Sequence, residues 1–145
     1  MGFMKFVGEV GDLVGGKKAA EAADIESYLK KTFGDKIQDL QVAYIAGKVA
    51  LAGKCDSRET QEKAILLAGN LKGVTEVNFD GLTGPKSGGA AEFYTIQKGD
   101  TLWKIAQQFL GNGSRYPEIF EANREVVKDA NKIFPGQQIR IPKAK

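Results

Sequence analysis

Tyr94-Thr95-Ile96-Gln97-Lys98-Gly99-Asp100-Thr101-Leu102, then Asn123, then Pro135-Gly136-Gln137-Gln138-Ile139-Arg140-Ile141-Pro142 are the three separated runs that decide the architecture of the last third of this chain. The first reads as a short strand closed by a glycine turn, with Asp100 expected to cap the helix that follows. Leu102, Ile105, Ala106 and Phe109 mark the buried stripe of that helix, and Gly111 is expected to stop it. Pro117 suits the first turn of a second helix, in which Ile119, Phe120 and Ala122 lead to Asn123. Ile139 and Ile141 then alternate with polar residues, as in a returning strand. The expectation for residues 92–145 is therefore a βααβ unit with antiparallel strands.

Working back from that unit, Gly81-Leu82-Thr83-Gly84-Pro85-Lys86-Ser87-Gly88-Gly89-Ala90-Ala91 has the composition of a flexible connector, which is placed at residues 82–91. Before it, Ala22, Ile25, Leu29 and Phe33 recur at helical spacing up to Gly34. Leu40, Val42 and Tyr44 alternate, Ala46-Gly47 turns, and Val49 and Leu51 alternate again, which predicts a hairpin. Asp56-Ser57-Arg58-Glu59 has the form of a capping box ahead of a second helix striped by Ala64, Leu67, Ala68 and Leu71. Gly69-Asn70-Leu71-Lys72-Gly73 ends that helix, and Val74, Val77 and Phe79 form a third strand. Residues 19–81 thus read as an α-β-β-α-β domain over a three-stranded sheet, preceded by an apolar segment at residues 1–18. The fold class is α+β in two small domains.

Composition excludes much chemistry. The chain has 145 residues, 42% hydrophobic and 27% charged, enough for two small cores. Histidine is absent, which removes the usual general base and the commonest transition-metal ligand. The single cysteine, Cys55, reads as a small residue at the end of a strand. Ser27, Ser57, Ser87 and Ser114 have no histidine to activate them, so no enzyme is expected. The net charge of +3 includes no basic block and predicts no nucleic-acid partner. Glu9 and Asp12 interrupt the apolar N-terminal run, and lysines 17 and 18 follow it, so it is not read as an export signal. A soluble, cytoplasmic monomer is the expectation.

The three C-terminal runs, in that order and at that spacing, resemble a LysM domain. That resemblance implies a shallow groove for N-acetylglucosamine glycans such as peptidoglycan. The groove would lie between the loop Gly99, Asp100, Thr101, Leu102 and the loop from Val126 to Ile133. The Lys48-Val49-Ala50-Leu51-Ala52-Gly53 strand and the Gly73-Val74-Thr75-Glu76-Val77-Asn78 exit from the second helix resemble a BON domain. BON domains are associated with phospholipid membranes in exported proteins. Here residues 1–14 carry one lysine against two acids, and no membrane partner is expected.

One BON followed by one LysM, behind Met1-Gly2-Phe3 and Phe6-Val7, resembles the family of bacterial potassium-binding proteins, small cytoplasmic K+ binders. The resemblance implies an ion held between the turn after the second BON helix and the N-terminal segment. It assigns the ligands as the backbone carbonyls of Val7, Val10 and Asp12 with those of Gly69, Leu71 and Gly73. Such a site has a physical basis. K+ is large and weakly hydrated, so neutral carbonyls can replace its water shell. Helix C-termini offer carbonyls without intrahelical partners and partial negative charge. Rb+ is the expected substitute, no transition metal is expected, and binding is expected to compact the chain.

Overall fold

The computed structural model describes residues 3–6, 22–71, 73–85, 92–124, 126–127, 133 and 135–142. The N-terminal unit begins with strand β1 (Phe3–Lys5), then helix α1 (Ala22–Phe33), strands β2 (Ile37–Ile45) and β3 (Lys48–Cys55), helix α2 (Arg58–Gly69) and strand β4 (Glu76–Thr83). Helix α1 buries Ile25, Leu29 and Phe33, one per turn on a single face. Asp24 in its first turn and Lys30 and Lys31 in its last complement the helix dipole. Gly34, at φ +53, turns the chain out of the helix.

Strands β2 and β3 pair antiparallel, with Val42 opposite Leu51 and Tyr44 opposite Val49. Their two-residue turn takes positive φ at both Ala46 (φ 50) and Gly47 (φ 84), the geometry that matches the twist of the flanking strands. Helix α2 starts at Ser57, whose hydroxyl accepts the Thr60 N–H. The return bond of the expected capping box is absent. Instead the Thr60 hydroxyl donates to the Asp56 carboxylate, which leaves Glu59 to reach Lys63 and Arg140. Helix α2 then delivers β4 parallel to β3.

The sheet has four strands, not the three read from sequence, in the order β1-β4-β3-β2. The added strand is β1, which pairs antiparallel with β4 through Phe3↔Asn78 and Lys5↔Glu76. Three residues are too few to show a period. Strand β4 also runs on through Leu82 and Thr83, which the sequence reading gives to the connector. Leu82 is buried, and the Thr83 hydroxyl donates to the Gly53 carbonyl.

The C-terminal unit comprises β5 (Glu92–Thr95), helix α3 (Leu102–Leu110), a 3-10 turn (Gly113–Arg115), helix α4 (Tyr116–Ala122) and β6 (Gln138–Ile141). The strands pair antiparallel from Glu92↔Ile141 to Thr95↔Gln138, so the expected βααβ unit is present. Leu102, Ile105, Ala106, Leu110, Ile119, Ile139 and Ile141 form its core. Phe109, expected in the buried stripe, is only partly buried. It packs edge-on against Tyr94 at 5.2 Å between ring centroids, and Leu110 takes the inner place.

Candidate functional site

The turn assigned to the ion follows directly from how α2 stops. Asn70 caps the helix, and its N–H returns to the Leu66 carbonyl at 2.9 Å. The Leu71 N–H reaches the Ala68 carbonyl, and the Leu71 carbonyl accepts the Val74 N–H at 3.2 Å. Gly73 sits at φ +89, a region that β-branched side chains resist. Its carbonyl accepts the Tyr44 hydroxyl at 3.4 Å. Gly69, Leu71 and Gly73 are therefore brought into one turn, with two of their carbonyls already accepting a donor. A carbonyl oxygen has a second lone pair, so neither is closed to a cation.

The N-terminal segment arrives at the same corner. Phe6 is buried, and its N–H donates to the Thr75 carbonyl at 2.9 Å. The far end of its ring fills the place where a side chain on Gly69 would begin: a Cβ there would stand 2.0 Å from Cζ. Only glycine at this helical position admits the ring. Val7, Val10 and Asp12, the other three assigned ligands, lie outside the described residues.

The residues assigned to a glycan groove have other local duties. Asp100 does not cap α3. Thr101 does, accepting the Lys104 N–H, because it is the last extended residue (φ −132, ψ 159) before the helix begins at Leu102. The Asp100 carboxylate instead accepts the Gln97 N–H and the Tyr94 hydroxyl. That bond, with burial and the carboxylate charge behind it, pushes the Tyr94 pKa up to about 12. Among the described residues, nothing lies within 4 Å of where a Cβ on Gly99, at φ +86, would stand, and Gly99 is the open point of this loop. Leu102 is buried in the core, Val126 is buried beside Asn123, and Ile133 is partly buried against the core.

Sequence reasoning missed what joins the two units. Arg140, on β6, is buried. Its Nε donates to Glu62 at 3.0 Å, its Nη2 lies 3.0 Å from the same oxygen, and its Nη1 donates to the Ala122 carbonyl at 2.7 Å. Asn123 holds the backbone of Arg140 on both sides, accepting its N–H and donating to its carbonyl. Asn70, inside the candidate ion turn, does the same for Gln138: its amide donates to the Gln138 carbonyl at 2.9 Å and accepts the Gln138 N–H at 3.1 Å. The side-chain amide thus supplies the donor and acceptor that a neighbouring strand would. Gln138 in turn donates to the Lys5 carbonyl on β1. The signal was faint but present. Arg140 interrupts an isoleucine pair, whereas Glu62 lies in the polar run Arg58–Lys63, opposite the apolar stripe of α2, and gives no signal of its own.

The chain matches two domain families, the BON domain over residues 18–82 and the LysM domain over residues 94–142. It is 35% identical to the potassium binding protein Kbp of Escherichia coli O6:H1, an alignment that covers 98% of this chain and 99% of that protein. An uncharacterized protein of Deinococcus radiodurans is 31% identical over 71% of this chain and 44% of its own length. The resuscitation-promoting factor Rpf of Micrococcus luteus is 35% identical over 37% of this chain and 24% of its own.

Proposed function

The chain belongs to the family of the two-domain BON–LysM potassium binding protein, and on that premise we propose that it is a K+-binding protein that holds the ion through backbone carbonyls. The observation that carries this reading is the end-to-end alignment with a protein named for binding potassium. The ligand set is that of Gly69, Leu71 and Gly73 with Val7, Val10 and Asp12. The corner where Phe6 meets Gly69 supports it, because Phe6 directly precedes Val7 in the sequence and packs against the candidate turn. Function is binding and not catalysis, in a cytoplasmic monomer, with Rb+ able to replace K+. Ion binding draws the N-terminal segment onto the turn and compacts the chain.

The test is thermal unfolding of the full chain in K+, Rb+ and Na+ at matched ionic strength. A ligand that binds only the folded state stabilises it by mass action. The melting temperature is expected to rise with K+ and Rb+ and far less with Na+, since carbonyls spaced for a larger ion close around Na+ only with strain. Equal responses to K+ and Na+ would sink the reading.

The LysM match favours a second reading, glycan binding at the open Gly99 turn. Chito-oligosaccharide titrated into the full chain separates the two. Saturable shifts in the amide signals of Gly99 to Leu102, without any K+ effect on stability, would put the glycan first.

A further inference from the structure

The turn after α2 is backed by the tip of the β2–β3 hairpin, and we propose that this tip, through Tyr44 and Gly47, is the positioning element that sets the ion selectivity of the Gly69–Gly73 turn. The inference rests on the ion-binding reading above and adds residues that lie outside the turn itself.

The contact is built almost entirely from backbone. The Gly47 carbonyl accepts the Thr75 N–H at 2.8 Å, the Glu76 N–H at 3.3 Å and the Thr75 hydroxyl at 3.3 Å. A Cβ on Gly47 would stand 2.9 Å from the Thr75 hydroxyl and 3.1 Å from the Gly73 carbonyl oxygen. Glycine is needed there twice over, for its φ of +84 and for this approach. Three positions back along β2, the half-buried Tyr44 aims its hydroxyl at the same Gly73 oxygen. One side of residues 73–76 is therefore lined by the hairpin.

This matters for an ion because Gly73 is the loosest link of the turn. Without a Cβ, its flanking peptides rotate more freely than those of any other residue type. The Leu71 carbonyl is steadied by the Val74 N–H within the turn, whereas the Gly73 carbonyl is steadied by Tyr44 from another strand. The hydroxyl uses one lone pair and leaves the other for a cation. Discrimination between K+ and Na+ depends on how far the carbonyls can close in. A donor bonded to the Gly73 oxygen itself limits that movement, so the hairpin tip acts on selectivity more than on the fold.

The experiment uses the full chain and the variants Tyr44→Phe and Thr75→Val. The first keeps the ring and removes the donor. The second keeps the β-branched shape and removes the hydroxyl that ties Thr75 to Gly47. Apparent dissociation constants for K+ and Na+ are read from the salt dependence of unfolding. Tyr44→Phe is expected to weaken K+ binding by about two- to tenfold, the range of one net hydrogen bond. Na+ binding is expected to change less, so the K+ preference falls, and Thr75→Val is expected to act in the same sense. If both variants keep the wild-type ratio of K+ to Na+ affinity, whatever their stability without ions, the hairpin is only a structural support and the inference is overturned. A wild-type chain that does not distinguish K+ from Na+ would instead remove the ion-binding reading, which separates the two failures.

Discussion

Gly69→Ala is the most informative single change because its sign depends on a residue more than sixty positions away. In an ordinary helix interior, replacing glycine with alanine stabilises by about 1 kcal/mol. Here the new methyl would begin 2.0 Å from Cζ of Phe6 and 2.2 Å from both Cε atoms, well inside any tolerable contact. The helix backbone is the stiffer partner, so the ring must leave its place. Returning a buried phenylalanine to water costs about 1.5–3 kcal/mol. The net effect of Gly69→Ala should then be a destabilisation of about 0.5 to 2 kcal/mol, together with weaker K+ stabilisation, because Phe6 leads into the proposed ligand segment. With Phe6 already truncated, in Phe6→Ala, the same glycine change meets no ring and should stabilise by about 1 kcal/mol. The two backgrounds differ by about 1.5–3 kcal/mol, the size expected for residues in direct contact. Urea unfolding of the four proteins in saturating K+ measures each corner of the cycle. If Gly69→Ala shifts stability in the same direction and by the same amount in both backgrounds, Phe6 does not occupy that place and the description of this corner is wrong.

Two further changes probe the contacts on either side. Arg140→Met takes the guanidinium from a buried Glu62 and should cost about 3–5 kcal/mol in urea unfolding, whereas Arg140→Met with Glu62→Met should recover most of that loss, and a double variant no better than the single would refute the pairing. Tyr94 carries a pKa raised to about 12 by its bond to Asp100, so its contribution to stability is complete below about pH 10 and is lost as pH climbs toward about 12. Tyr94→Phe should lack that alkaline decline, and parallel pH profiles for the two proteins would count against the bond.

The sequence shows plainly what depends on local rules. The α1 stripe of Ile25, Leu29 and Phe33, the Ala46-Gly47 turn and the Gly111 stop each follow from spacing or from a positive φ within a few residues. What it conceals is set by partners distant in the chain. Three-residue β1 has no period of its own and exists only because β4 offers an edge. Glu62 and Arg140 are ordinary surface residues by type, and only the packing of α2 against β6 makes them a buried pair. Asp100 is misread for a subtler reason. Both it and Thr101 are good caps, and the choice turns on a one-residue difference in where the helix begins. The turn proposed for the ion is legible as a helix stop, but Tyr44 is not legible as its neighbour, since the two meet only through the fold of the sheet.

The position of β1 has a consequence for the time at which the protein becomes competent. Strand β1 leaves the ribosome ahead of the other described strands and is among the last of them to find its place. Phe3 waits for Asn78, Phe6 for Thr75, and the Lys5 carbonyl for Gln138, which lies 133 positions downstream. The β2–β3 hairpin closes over two residues and can form early, whereas contacts of such separation carry the largest loop-closure cost and come late. The corner proposed for the ion is thus assembled after the scaffold that supports it. By the same logic it can open again while the rest stays folded. A cation that grips this corner would act on local opening long before it acted on global unfolding, and amide exchange at Phe3–Phe6 should slow with K+ at concentrations that leave the hairpin amides unchanged.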